Sequence, residues 1–129
     1  MSVRFNHTLV HATDTKRSAE FLTQILGLPA PAAWGPFQVV QLANGTSLDF
    51  IDAGGMKFDM QHYAFQVDEA EFDQIFGRIQ QRGLTYWADP HGHEPGEINH
   101  HDGGRGVYWD DPDGHKLEII TRPYGSGER

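Results

Sequence analysis

Two stretches of this 129-residue chain read as copies of one pattern. A duplicated module constrains a fold more than any single motif can. The first copy opens on Asn6-His7-Thr8-Leu9-Val10 and runs through a helix-like segment to Gly27-Leu28. The second opens on Gln61-His62-Tyr63-Ala64-Phe65 and runs through another to Gly83-Leu84. His7 and His62 are 55 positions apart, Gly27 and Gly83 are 56 apart, and Glu118 lies 56 beyond His62 in a strand-like run. Two histidines and a carboxylate at repeat-related places suggest a metal site built at a pseudo-two-fold axis.

Within the first copy, Val3 to Val10 alternates, so that Phe5, His7 and Leu9 share one strand face. Asp14 or Thr15 can cap a helix whose apolar stripe is Phe21, Leu22, Ile25 and Leu26, with Gly27 as its stop. A Pro-rich connection (Pro29, Pro31, Pro36) leads to strands over Phe37–Leu42 and Thr46–Ile51, joined by the hairpin signal Asn44-Gly45. The second copy predicts a strand over Met60–Val67 and a helix over Asp68–Arg82 with Phe72, Ile75, Phe76 and Ile79 on one stripe. A short run over Leu84–Trp87 follows, then a hairpin of Gly106–Asp110 and Lys116–Thr121 around Asp111-Pro112-Asp113-Gly114. Gly45–Phe50 resembles Gly114–Ile119, which makes Asp49 the repeat partner of Glu118. Their separation of 69 exceeds the repeat because of one insertion, Ala88–Arg105.

The order strand, helix, then two or three antiparallel strands, taken twice, predicts an α+β fold. Two such modules can curl a mixed sheet into a cup with the helices outside. We expect one domain over residues 1–129: module one at about 1–55, module two at about 56–122, and a fraying tail at 123–129. Hydrophobic residues at 38% and charged residues at 22% suit a globular chain of this kind. No apolar run approaches the ~20 residues that span a bilayer, and no signal segment is visible, so a cytoplasmic location away from membranes is expected. With no cysteine, any metal must be held by His, carboxylate, amide or water, which suits Fe, Mn, Zn, Ni or Co. A net charge of −8 without a basic cluster disfavours nucleic acid as a partner.

His7, His62 and Glu118 are the expected metal ligands. Two imidazoles and one carboxylate leave coordination positions open for substrate, unlike a closed structural site. Leu117-Glu118-Ile119-Ile120 places a charge in an apolar strand, which costs free energy unless something pairs it. Asp49 is a candidate fourth ligand or base, and the alternative is an ordinary paired strand carboxylate. Tyr108, ten residues before Glu118 across the turn, is a candidate catalytic donor to a metal-bound oxygen, or else a core or rim tyrosine. The insertion holds His91, His93, His100 and His101. It reads as a solvated loop, a metal-binding stretch, or a lid carrying His100 or His101 as acid/base.

Asn6-His7-Thr8-Leu9-Val10, His62-Tyr63-Ala64-Phe65 and the run Gly106 to Glu118 together resemble the vicinal oxygen chelate superfamily. That superfamily includes glyoxalase I, bleomycin-resistance proteins, type I extradiol dioxygenases and fosfomycin-resistance thiol transferases. The resemblance implies paired βαβββ modules, a homodimer, and one divalent metal per site on His7, His62 and Glu118. It also implies a small substrate chelating that metal through oxygen, in lyase, thiol-transferase or dioxygenase chemistry, the second with a thiol co-substrate. Leu9 departs from the thiol transferases, which carry threonine two positions after the first ligand. Tyr108 matches the tyrosine that extradiol dioxygenases place ten residues before the glutamate. The competing expectation is a drug-binding module without catalysis, walled by Trp34, Phe37, Trp87 and Trp109.

Overall fold

Local signals set the ends of both helices in the computed structural model, which describes residues 2–127. Helix α1 (Thr15–Leu26) starts where the Asp14 carboxylate accepts the Arg17 amide at 3.1 Å. It stops at Gly27, whose φ of 72° is the left-handed geometry of a C-terminal cap. Helix α2 (Glu69–Gln81) starts with a reciprocal capping box: Asp68 accepts the Glu71 amide at 2.7 Å, and Glu71 accepts the Asp68 amide at 2.9 Å. One face of α1 buries Ser18, Ala19, Leu22 and Ile25. This face is turned slightly from the predicted stripe, and Phe21 and Leu26 sit at its half-buried margins.

Two compact units divide the chain at Asp59/Met60, and each carries one helix and one four-stranded sheet. The first contains β1 (His7–Ala12), β2 (Ala32–Trp34), β3 (Phe37–Gln41) and β4 (Ser47–Asp52), in the order β1-β4-β3-β2. The second contains β5 (His62–Gln66), β6 (Tyr86–Trp87), β7 (Gly106–Asp110) and β8 (Lys116–Ile120), in the order β5-β8-β7-β6. Each sheet is mixed: its first strand runs parallel to its last, and the remaining pairs are antiparallel. Both units are therefore βαβββ modules of an α+β fold. β2 lies in the Pro-rich connection that the sequence predicts to be irregular. Its three residues are exposed and bury nothing that a hydrophobic pattern could register.

The duplication extends to the hydrogen-bond register. His7 pairs with Ser47 and Leu9 with Asp49, as His62 pairs with Lys116 and Ala64 with Glu118. Asp49 is thus the structural counterpart of Glu118, while Val39 occupies the place of Tyr108 across the next pair. Alternation puts Val10, Val40, Leu48 and Phe50 in the core of the first unit, leaving His7 and Asp49 on the opposite sheet face. In the second unit Val107, Trp109, Leu117 and Ile119 are buried together with Phe72, Ile75 and Ile79 of α2. Trp109 is fully buried and so is core, correcting its expected place in a binding wall.

The insertion is organised. The Asp89 carboxylate accepts the amides of His91, His93 and Glu94 at 3.2, 3.0 and 2.7 Å, and Asn99 donates to the Ala88 carbonyl at 2.8 Å. Arg105 closes it by pairing with Glu69 and Asp73 on α2, both at 2.8 Å, with its guanidinium 4.3 Å from the Phe72 ring centre. Among the described residues, no helix is long and apolar enough to cross a membrane.

Candidate metal centre

His62 and Glu118 meet because parallel pairing of β5 with β8 places them on the same sheet face, two register positions apart. His62 Nε2 lies 3.0 Å from Glu118 Oε1, and His62 Nδ1 lies 3.1 Å from the Lys116 carbonyl oxygen. A carbonyl can only accept, so Nδ1 carries the hydrogen and donates it. In a neutral imidazole Nε2 then bears a lone pair, which faces a carboxylate oxygen. Two acceptors at this separation need a cation to share. A proton on His62 would serve, and so would a metal ion.

The donor chemistry fits a divalent ion. An Nδ1–H held by a backbone carbonyl is the usual support of a histidine that ligates through Nε2. Ligands about 2.1 Å from a metal and at right angles to each other stand about 3.0 Å apart. His7 is held in a comparable way in the first unit: its Nδ1 is 2.7 Å from Asn6 Oδ1, an acceptor, which leaves the lone pair of the neutral ring on Nε2. Asn6, which precedes His7 at the opening of the first repeat, thus orients its imidazole. Among the described residues no three His, Asp or Glu side chains form a ready-made cluster.

Glu118 is 1% exposed although it lies on the face opposite the helix-side core. Its cover comes from an element that sequence reading missed. The Tyr124 hydroxyl donates to Glu118 Oε2, and the Tyr108 hydroxyl lies 3.0 Å from that of Tyr124. Because Tyr124 gives its hydrogen to the carboxylate, its oxygen accepts from Tyr108. The Tyr108 hydroxyl, expected to donate to a metal-bound oxygen, here donates to Tyr124. Its ring stacks on His62, with centroids 5.9 Å apart and planes 28° from parallel. Burial first, then the neighbouring Tyr124 and Glu118, push the Tyr108 phenol far above its ordinary value. It stays protonated and acts as a donor, not as a phenolate base. Burial and the bond to Glu118 also raise the Tyr124 phenol.

The remaining candidates fall in two places. Asp49 lines a cleft of about 440 Å³ in the first unit with His7, Ser47, Val39, Ala33 and Trp34. Its carboxylate accepts the Ser47 hydroxyl at 2.8 Å, so it is a hydrogen-bonded carboxylate on the same face as His7. Trp34 is 72% exposed and stacks on Phe37 with centroids 6.3 Å apart, giving the cleft a flat aromatic edge. Trp87 lies under the Lys116 ammonium, 4.2 Å from the ring centre. His101 is exposed, with its ring 6.1 Å from that of Tyr124, whereas His91, His93 and His100 are exposed along the insertion.

Comparison with known proteins agrees with this architecture. Residues 4–119 match the Glyoxalase/Bleomycin resistance protein/Dioxygenase superfamily, and the chain belongs to that family. Two solved structures are similar to it over nearly their whole length. Oxidase ChaP-H1 is 63% identical with a TM-score of 0.93, covering 96% of this chain and 99% of its own. Oxidase ChaP-H2 is 58% identical with a TM-score of 0.95, covering 99% of this chain and 100% of its own. The glutathione transferase FosA of Serratia marcescens is 29% identical over 87 residues, which span 64% of this chain and 62% of the transferase.

Proposed function

We propose that this protein is a divalent-metal-dependent enzyme of oxidase type, acting on a small substrate that chelates the metal through neighbouring oxygens. The ligands are His7, His62 and Glu118, supplied by one chain or by two copies in a homodimer. The observation that carries this reading is the His62–Glu118 pair: a lone pair and a carboxylate oxygen held 3.0 Å apart, with Nδ1 already committed to Lys116. When bound, a divalent ion supplies a Lewis acid with positions left open for substrate oxygens. The similarity to two oxidases over nearly the full chain supports the oxidase reading above lyase or transferase chemistry.

The chain's own residues have separable tasks. Asn6 and the Lys116 carbonyl fix the two imidazoles in the tautomer that presents Nε2. The Tyr108–Tyr124 hydroxyl pair holds a chain of donated hydrogens ending on Glu118 Oε2, which leaves Oε1 toward His62. Trp34 and Phe37 offer a flat apolar face to a planar substrate beside His7. Proton transfer falls to Asp49, which shares the cleft with His7, or to His101 at the edge of the Tyr124 ring.

Metal analysis of protein purified without added metal, then anaerobic reconstitution with Fe(II) or Mn(II), tests the reading. The reconstituted enzyme is screened with catechols for oxygen uptake, and with hemithioacetals and epoxides plus thiol. Metal-dependent oxygen uptake supports it. Thiol addition without oxygen uptake would move the protein to the transferase branch. Tight binding of a flat drug by metal-free protein that takes up no metal would make it a binding module.

A further inference from the structure

The segment after β8 looks dispensable in sequence, being rich in Gly and Ser, yet two of its amides are fastened to the insertion. Asp102 accepts the Gly125 amide on Oδ2 and the Gly127 amide on Oδ1, both at 3.1 Å. A Cβ on Gly127 would overlap the Asp102 backbone, so the approach depends on glycine there. Asp102 itself has φ 58°, the one positive value among the described residues that are not glycine. A non-glycine residue held in this conformation points to a site whose surroundings enforce it. The enforced object is Tyr124, which lies between β8 and the clamped glycines.

The Tyr124 hydroxyl bridges Tyr108 and Glu118. Its ring is half exposed and adds little to the core, while its hydroxyl reaches the buried Glu118 Oε2. Within the sheet, Glu118 meets His62 through Oε1. A carboxylate bonded at a single oxygen can rotate about its last torsion, which is broad and roughly two-fold. A second bond, from a hydroxyl delivered by a separate element, removes that freedom.

We infer that Tyr124 is a positioning residue for Glu118, and that residues 123–127 form a strap, clamped by Asp102, that delivers it. The inference rests on the proposed role of Glu118 as a ligand. The strap makes cation affinity depend on a segment outside both repeats and outside the sheet. Partners of this kind, one shell beyond the ligands, are typically worth 10–100-fold in metal affinity.

The test uses the full chain, stripped with chelator and titrated with Mn(II) by calorimetry and with Co(II) by visible absorption. Wild type, Glu118→Ala, Tyr124→Phe and Gly127→Val are compared. Tyr124→Phe removes one hydroxyl from an exposed ring. Gly127→Val removes the strap's seat and touches neither Tyr124 nor Glu118. The expected result is a 10–100-fold weaker Mn(II) affinity in both, a shifted Co(II) band, and no further loss in the double variant. Stripped Tyr124→Phe still unfolds in one cooperative transition, its midpoint lowered by no more than the loss of one charge-assisted bond. Unchanged affinity and an unchanged Co(II) band in Tyr124→Phe would overturn the inference while leaving Glu118 a ligand. Tighter binding would also overturn it, since the hydroxyl would then be competing with the metal. If Glu118→Ala binds Mn(II) as wild type does, the ligand reading fails and the inference falls with it.

Discussion

Replacing Glu118 with Gln separates what the carboxylate does for folding from what it does for a cation. The glutamine side chain has the same shape. Its carbonyl can accept the Tyr124 hydroxyl, and its amide nitrogen can donate to the His62 Nε2 lone pair. The charge-assisted bonds at Glu118 are worth about 1.5–3 kcal/mol each, against about 1 kcal/mol for neutral replacements. The pair with His62 belongs at the low end, because that imidazole is 49% exposed and screened by water. Against this loss stands relief from burying a charge, a cost of several kcal/mol at a site 1% exposed. The two terms oppose each other, so stripped Glu118→Gln should stay within about 1 kcal/mol of wild type. Glu118→Ala loses both bonds and leaves a small void, and should cost about 2–4 kcal/mol. A ligand at 100 times its dissociation constant stabilises by about 2.7 kcal/mol. At roughly 3–6 °C per kcal/mol for a chain of this length, that raises the midpoint by about 8–16 °C. Scanning calorimetry with and without Mn(II) should show this rise in wild type and little of it in Glu118→Gln, because the amide carries no charge and its oxygen is taken by the Tyr124 hydroxyl. A stripped Glu118→Gln protein destabilised by more than about 3 kcal/mol, or one that keeps the Mn(II) shift, would refute the reasoning.

Three further outcomes are expected. His7→Ala should abolish the Mn(II)-induced rise while moving the stripped midpoint by less than about 2 °C, since the imidazole is exposed and its bond is to its chain neighbour Asn6; a retained rise would remove His7 from the ligand set. Asp68→Ala should cost about 1 kcal/mol through loss of the α2 capping box, read as a lower urea midpoint at unchanged slope. Light scattering after size exclusion should give roughly 29 kDa, twice the 14.5 kDa chain, because the edge strands β1, β2 and β5 have no further ladder partner among the described residues; a mass near that of one chain would count against a homodimer.

The parts of the fold legible in the sequence were those fixed by near neighbours. Amphipathic spacing located α1 and α2, Asp14 and Asp68 marked their starts, and Asn44-Gly45 and Asp111–Gly114 marked the hairpins. The repeat identified Asp49 as the counterpart of Glu118, and the ladder register agrees. The parts that were hidden depend on remote partners. β2 forms because β3 offers it an edge, not because Ala32-Ala33-Trp34 has a strand pattern. Trp109 reads as a possible binding surface, and only its place between Val107 and Leu117 in the packed layer shows it to be core. Tyr124 was invisible because its tail has the composition of a frayed end. The signal that could have found it is Asp102, an acidic residue between His101 and Gly103, with glycine amides at 125 and 127 to donate to it. The composition of the insertion suggested a loose loop, but one carboxylate, Asp89, gathers three of its amides.

The parallel pairing of first strand with last has a consequence for how the polypeptide emerges during synthesis. β1 has no ladder partner until Asp52 has been made, and β5 has none until Ile120. Each opening strand, with its histidine, must wait through a helix and two further strands before its backbone is satisfied. The delay is longer in the second half, because residues 88–105 separate β6 from β7. For that interval Tyr63 and Phe65 stay open to wrong partners, and pairing over such chain distances is slow. The second half should therefore be where a nascent chain stalls, and where a folding helper would act.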